Sequence, residues 1–161
     1  MNNLLCEVLL NADTIVLGRI TYMKMAGFWT EVLQDIHVPR EDYPLALLIN
    51  RCTKVVCSKT SRLPVWGDSK VISTDTEKQL MKMKEGQGMN MIVLGSGLLV
   101  RSLINAGVID EMILWIHPVV LNKGRPLFTT MSGNSTLSLR RTVQTDSGVM
   151  VFFYTVSQTP A

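Results

Sequence analysis

The chain has 161 residues, 47% of them apolar and 18% charged, a balance that supplies one domain's core and excludes intrinsic disorder over most of the length. No apolar run reaches the roughly 18 residues of a membrane span, which excludes a membrane-spanning helix. Sixteen basic against thirteen acidic residues leave a net charge of +3, and the basic residues are scattered, which argues against nucleic acid as a partner.

In chain order, Asn2 to Asn11 reads as a short helix with Leu5, Val8 and Leu9 on one face. Asp13 to Leu17 is an apolar, β-branched run bounded by Asp13 and Gly18, hence a buried strand. Thr21 then caps a short helix through Met25 that stops at Gly27, and residues 30–43 read as loop. Pro44 suits the first turn of a helix over Leu45 to Ile49. Strands follow at Lys54 to Cys57 and Lys70 to Ser73. Thr74 and Glu77 form a capping box for a helix that carries Leu80, Met81 and Met83 before Gly86. Met91 to Leu94 is a strand that ends in Gly95-Ser96-Gly97. The next helix shows Leu99, Leu103 and Ala106 on one face and closes at Gly107. Glu111 to Ile116 is a fifth strand. Leu137 to Thr145 and Val149 to Val156 are longer strands joined by an Asp146-Ser147-Gly148 hairpin turn, and the last is apolar on both alternating sets. No linker or repeat divides the chain, so residues 1–161 are read as a single domain. The fold class is α/β, three-layer, a mostly parallel central sheet with a C-terminal antiparallel hairpin.

Cys6, Cys52 and Cys57 are odd in number and lack zinc spacing, so they read as reduced thiols serving as small buried hydrophobes in a cytoplasmic protein. The N-terminal stretch lacks a basic leader and contains Glu7, which does not read as a signal peptide.

Three turns can carry chemistry. Gly95-Ser96-Gly97 joins a strand to a helix, where glycines let the backbone approach a phosphate and free N–H groups face an anion; the same pattern also serves a plain tight turn. It lacks the third glycine of the dinucleotide fingerprint and is not a P-loop. Gly18-Arg19-Ile20-Thr21-Tyr22 also sits at a strand end, with an arginine fork and a threonine hydroxyl that either hold a phosphate or merely cap a helix. Ser58-Lys59-Thr60 is a third such turn, or a surface loop. If the strands run parallel, all three open on one edge of the sheet, within reach of one extended, phosphate-rich ligand. The two histidines, a loop His37 and a structural His117, belong to no recognisable triad, and no GxSxG, HExxH or metal-spaced carboxylate pair occurs, so no metal is expected. A cofactor that brings its own chemistry suits such a site.

The order Gly18-Arg19-x-Thr21-Tyr22, Val55-Val-x-Ser58-Lys-Thr60 with Trp66, Gly95-Ser-Gly97-x-Leu99, and Ile109-Asp110-Glu111 through Pro118-Val-Val-Leu121-x-x-Gly124-x-Pro-Leu-Phe128 resembles the dihydrofolate reductase-like family that includes the reductase domain of bacterial riboflavin biosynthesis. The resemblance spans residues 10–156 and is strongest to small stand-alone bacterial members. It implies NADPH as hydride donor. Gly18, Arg19 and Thr21 would hold the adenosine-side phosphates, Ser58 and Lys59 would lie near the 2′-phosphate, and Gly95, Ser96, Gly97 and Leu98 would line the pyrophosphate. Lys123 stands where members often have a small residue. Members also begin with a central strand and a Ser-Leu-Asp-Gly-like loop that this sequence lacks, so either the reading is truncated or a neighbour chain or a rearranged segment fills the place. That loop lines the substrate pocket, so no catalytic residue is carried over, and Glu7 reads as a solvated helix residue. The expected function is NADPH-dependent reduction of a small heterocyclic, pterin- or pyrimidine-like substrate by a homodimer. The alternative is a catalytically silent nucleotide-binding or oligomeric scaffold.

Overall fold

The order of the strands explains where the loops gather. The computed structural model describes residues 2–33, 39, 41–129 and 131–158; His37 lies outside them. The chain divides into two units, Met1–Leu99 and Val100–Ala161. The first holds α1 (Asn2–Leu10), β1 (Ala12–Gly18), α2 (Arg19–Val32), α3 (Tyr43–Arg51), β2 (Thr53–Cys57), β3 (Ser69–Ile72), α4 (Thr76–Lys84) and β4 (Asn90–Val93). Helix α5 (Gly97–Asn105) crosses the boundary, and β5 (Glu111–Ile116), β6 (Ser135–Gln144) and β7 (Met150–Gln158) follow.

In the first unit the sheet order is β3-β2-β1-β4, and every pair is parallel. Ile15 and Leu17 of β1 and Val56 of β2 pack with Leu9, Tyr22, Ala26, Leu45 and Ile49 of the first three helices. Val16 and Val55 point to the opposite face and are equally buried. Two covered faces account for apolar runs that do not alternate. Arg51 ties the end of α3 to the end of α1, donating from Nη2 to the carbonyls of Leu9 and Leu10, both at 3.1 Å.

Three local expectations are corrected. Helix α2 does not stop at Gly27 but runs to Val32, because Trp29 packs on the core and Val32 is buried, which offsets the glycine's modest helix penalty. Thr21 therefore lies inside the helix, and Gly18 is the N-cap, with no side-chain cap bond. The N-cap of α4 is Asp75, in left-handed backbone at φ +46°, and no side-chain bond caps the helix, so the Thr74–Glu77 box does not form. On that helix Leu80 is buried while Met81 and Met83 are exposed.

The second unit is an antiparallel sheet in the order β5-β7-β6. The fold class is α/β with four parallel strands and an antiparallel C-terminal part, and β5 joins the hairpin rather than the parallel strands. Cross-strand pairs of Ile113 with Phe153 and Leu114 with Phe152 give β5 its place. As the middle strand, β7 needs apolar residues on both faces, and Arg141 covers Phe153 with its guanidinium 4.5 Å from the ring centre. The hairpin closes where expected, with Gly148 at φ +79°. Gly107, at φ +68°, ends α5 by donating its N–H to Ile104 O. After β5, Val119, Val120 and Leu121 are exposed.

Candidate functional site

Because β2, β1 and β4 are adjacent and parallel, their carboxyl ends share one edge, and the three turns singled out above lie side by side on it. Gly18 is paired with Cys57, so Ser58 follows directly on the neighbour of Gly18. Leu94 donates its N–H to Val16 O at 3.2 Å, which carries the β1–β4 pairing to the threshold of Gly95. The turns then touch. A Cβ at Gly18 would stand 3.0 Å from Cβ and Oγ of Ser96, and one at Gly95 would stand 3.3 Å from Thr21 Cγ2. Gly95 and Ser96 are both left-handed, at φ +72° and +59°. Thus Gly18, Thr21, Gly95 and Ser96 are brought into contact.

Gly97 opens α5, Leu98 is exposed, and the N–H of Leu99 makes a long bond to Ser96 Oγ at 3.5 Å. Arg19 is exposed and lies along its own helix, with Nη1 3.5 Å from Met23 Sδ. Lys59 is exposed, whereas Ser58 is buried and its hydroxyl is engaged locally. Ser58 Oγ donates to Thr60 O at 2.8 Å and accepts the Thr60 N–H at 3.1 Å. Electrostatically the edge suits an anion. Two helices, α2 and α5, point their N-termini at it, neither carries an acidic residue in its first turn, and Arg19 and Lys59 add positive charge.

At the amino ends of β2 and β3, the opposite ends of these strands from the turns, lies a buried polar frame that no local sequence pattern announces. Asn50 is its hub: Nδ2 donates to Trp29 O at 3.0 Å and Ala46 O at 2.9 Å, and Oδ1 accepts from Trp66 Nε1 at 2.7 Å. The fully buried Lys54 donates from Nζ to Asn50 O at 2.7 Å and sits 4.7 Å from the centre of the Trp66 ring. Burial lowers its pKa from 10.5 to about 8. Tyr22, one turn into α2, donates its hydroxyl to Pro64 O at 2.7 Å and packs on Trp66. The frame thereby couples α2, which begins at the Gly18 turn, to the β2–β3 loop that begins at Ser58. One signal was available: a lysine in a strand with both faces covered must find a partner.

The remaining candidates lie elsewhere. Glu7 is exposed on α1. His117 is exposed, and its carbonyl accepts the Val119 N–H at 2.8 Å. Cys6, Cys52 and Cys57 are free; Cys52 is buried, and desolvation raises all three thiol pKa values, that of Cys57 to about 11. Among the described residues no helix is long and apolar enough to cross a membrane.

A parallel sheet with glycine turns at adjacent carboxyl ends, followed by an antiparallel hairpin unit, defines a protein of dihydrofolate reductase-like fold. More narrowly, the chain belongs to the RibD C-terminal domain family, whose model matches residues 6–151. It is 30% identical over 142 residues to the uncharacterized protein YyaP of Bacillus subtilis (strain 168), covering 88% of this chain and 73% of YyaP. It is 32% identical over 143 residues to the uncharacterized protein YwjB of the same organism, covering 88% of this chain and 72% of that one. Among solved structures it is similar to a putative riboflavin biosynthesis protein from Shewanella sp. PV-4, with a TM-score of 0.67 at 16% identity over 94% of this chain and 78% of that one. A pyrimidine reductase-like protein from Corynebacterium diphtheriae gives a TM-score of 0.65 at 16% identity, over 98% and 81% of the two chains. At such identities the structures speak for the fold.

Proposed function

We propose that the chain is an NADPH-dependent reductase of a small heterocyclic, pterin- or pyrimidine-like substrate. The observation that carries this reading is the assembly of three strand-end turns on one edge of the parallel sheet, with bare glycines where two of them meet. That edge suits a dinucleotide. Side chains at positions 18 and 95 would collide with Ser96 and Thr21 and force the turns apart, two helix N-termini face the edge, and exposed cations flank it. In this reading Gly18, Arg19 and Thr21 hold the adenosine-side phosphates, and Gly95, Ser96, Gly97 and Leu98 the pyrophosphate through their backbone. Lys59 supplies the charge beside a 2′-phosphate. Ser58, whose hydroxyl is engaged with Thr60, acts by shaping that turn. The cofactor, when bound, supplies the hydride; the protein's part is to hold and orient it.

The likeness to a riboflavin biosynthesis protein and to a pyrimidine reductase-like protein supports a heterocycle of the riboflavin or pyrimidine type as substrate. The three free thiols support a reducing, cytoplasmic setting. A homodimer remains part of the proposal. Titration calorimetry with NADPH and NADH tests it: NADPH binds, and more tightly than NADH. A folded sample that gives no heat with either overturns the cofactor assignment.

A further inference from the structure

Ser96 is the one residue other than glycine at the candidate site that holds a left-handed backbone, at φ +59°. Serine disfavours that conformation, and glycine would adopt it freely. Its side chain accounts for the choice, because Cβ and Oγ of Ser96 fill the space that any side chain at position 18 would need, 3.0 Å from a Cβ there. Gly18 itself is at φ −76°, ψ 154°, a backbone open to any residue. The glycine is thus required by Ser96 and not by its own conformation.

We propose that Gly18 and Ser96 are a matched pair of positioning residues that fixes the spacing of the β1 and β4 turns, so that affinity for the dinucleotide depends on the pair rather than on either residue. Ser96 acts as a spacer: its side chain seats against the bare Cα of Gly18, and its Oγ accepts the Leu99 N–H at the start of α5. Thr21 makes the reciprocal contact with Gly95, which sets the same gap from the other side. The inference rests on the cofactor reading above.

The test is a double-mutant cycle with Gly18→Ala, Ser96→Gly and both together, read as NADPH affinity well below the melting temperature, where a merely structural defect leaves the folded fraction's affinity unchanged. Gly18→Ala should weaken NADPH about tenfold or more, since it forces the turns apart by a few tenths of an ångström. Ser96→Gly should weaken it by about threefold through a slackened turn. The double variant should recover to near the Ser96→Gly value, because removing the serine side chain makes room for the alanine. A double variant no better than Gly18→Ala, with NADPH still bound by the unchanged chain, overturns the pair alone. An unchanged chain that binds no NADPH overturns the cofactor reading and the positioning role with it.

Discussion

The turns after β1 and β4 and the turn after β2 share one edge but are built differently. The first two are fixed by shape: Gly18 against Ser96 and Gly95 against Thr21, with two left-handed residues and the short Ser96 and Thr21 side chains as spacers. The third is closed on itself by the Ser58–Thr60 bonds and offers a charge, Lys59, outward. The difference divides the proposed labour. Close-packed backbone suits the invariant phosphates of a dinucleotide, and a flexible cation suits the one phosphate that distinguishes NADPH from NADH.

Removing the polar frame at the amino ends of β2 and β3 should have the largest effect. Asn50→Ala takes away three side-chain hydrogen bonds and leaves Trp66 Nε1 without its acceptor, so urea unfolding should show a loss of about 2–4 kcal/mol. Breaking the shape half comes next. Gly95→Ala puts a side chain at φ +72° and within 3.3 Å of Thr21, which should cost about 1–3 kcal/mol of stability and weaken both NADPH and NADH. Breaking the charge half should be gentler and selective: Lys59→Ala should weaken NADPH by about fivefold, leave NADH unchanged and flatten the salt dependence of NADPH binding. Equal losses for both nucleotides would erase the proposed division.

The smallest effect concerns Lys54. Its folded pKa, about 8, lies below the ordinary 10.5, so between those values the unfolded chain binds more protons and the lysine's contribution to stability rises with pH. Below pH 8 its desolvation cost is fully present. The raised thiol pKa values act in the opposite direction, since an unfolded thiol ionises first and stability falls through their range. Comparing the chain with Lys54→Met in a Cys52→Ala background removes the thiol coupled to Lys54 and cancels the other two. The stability difference should move in favour of the lysine from pH 8 to 10.5, and a difference that does not vary with pH would contradict the assignment.

The strands were legible because a strand covered on both faces shows as an unbroken apolar run, as at Ile15 to Leu17 and Val55 to Val56. The three turns were legible as residue types, and their place on one edge followed from the parallel order. What could not be read were features decided by packing. Gly27 reads as a stop, but a side chain there would meet nothing within 4 Å, and Trp29 beyond it is held by the core. Asn50 and Trp66 are 16 residues apart, and Tyr22 and Pro64 are 42 apart, so no local pattern announces the frame. The contact between Gly18 and Ser96 likewise belongs to the register of β1 on β4.

Amide NMR of the chain titrated with NADPH tests the account most directly. The largest shifts are expected at Gly18, Arg19 and Thr21 and from Gly95 to Leu98, with a further shift at Lys59 that NADH does not produce. Shifts confined to the antiparallel strands β5 to β7, or no shifts at saturating NADPH, would contradict it.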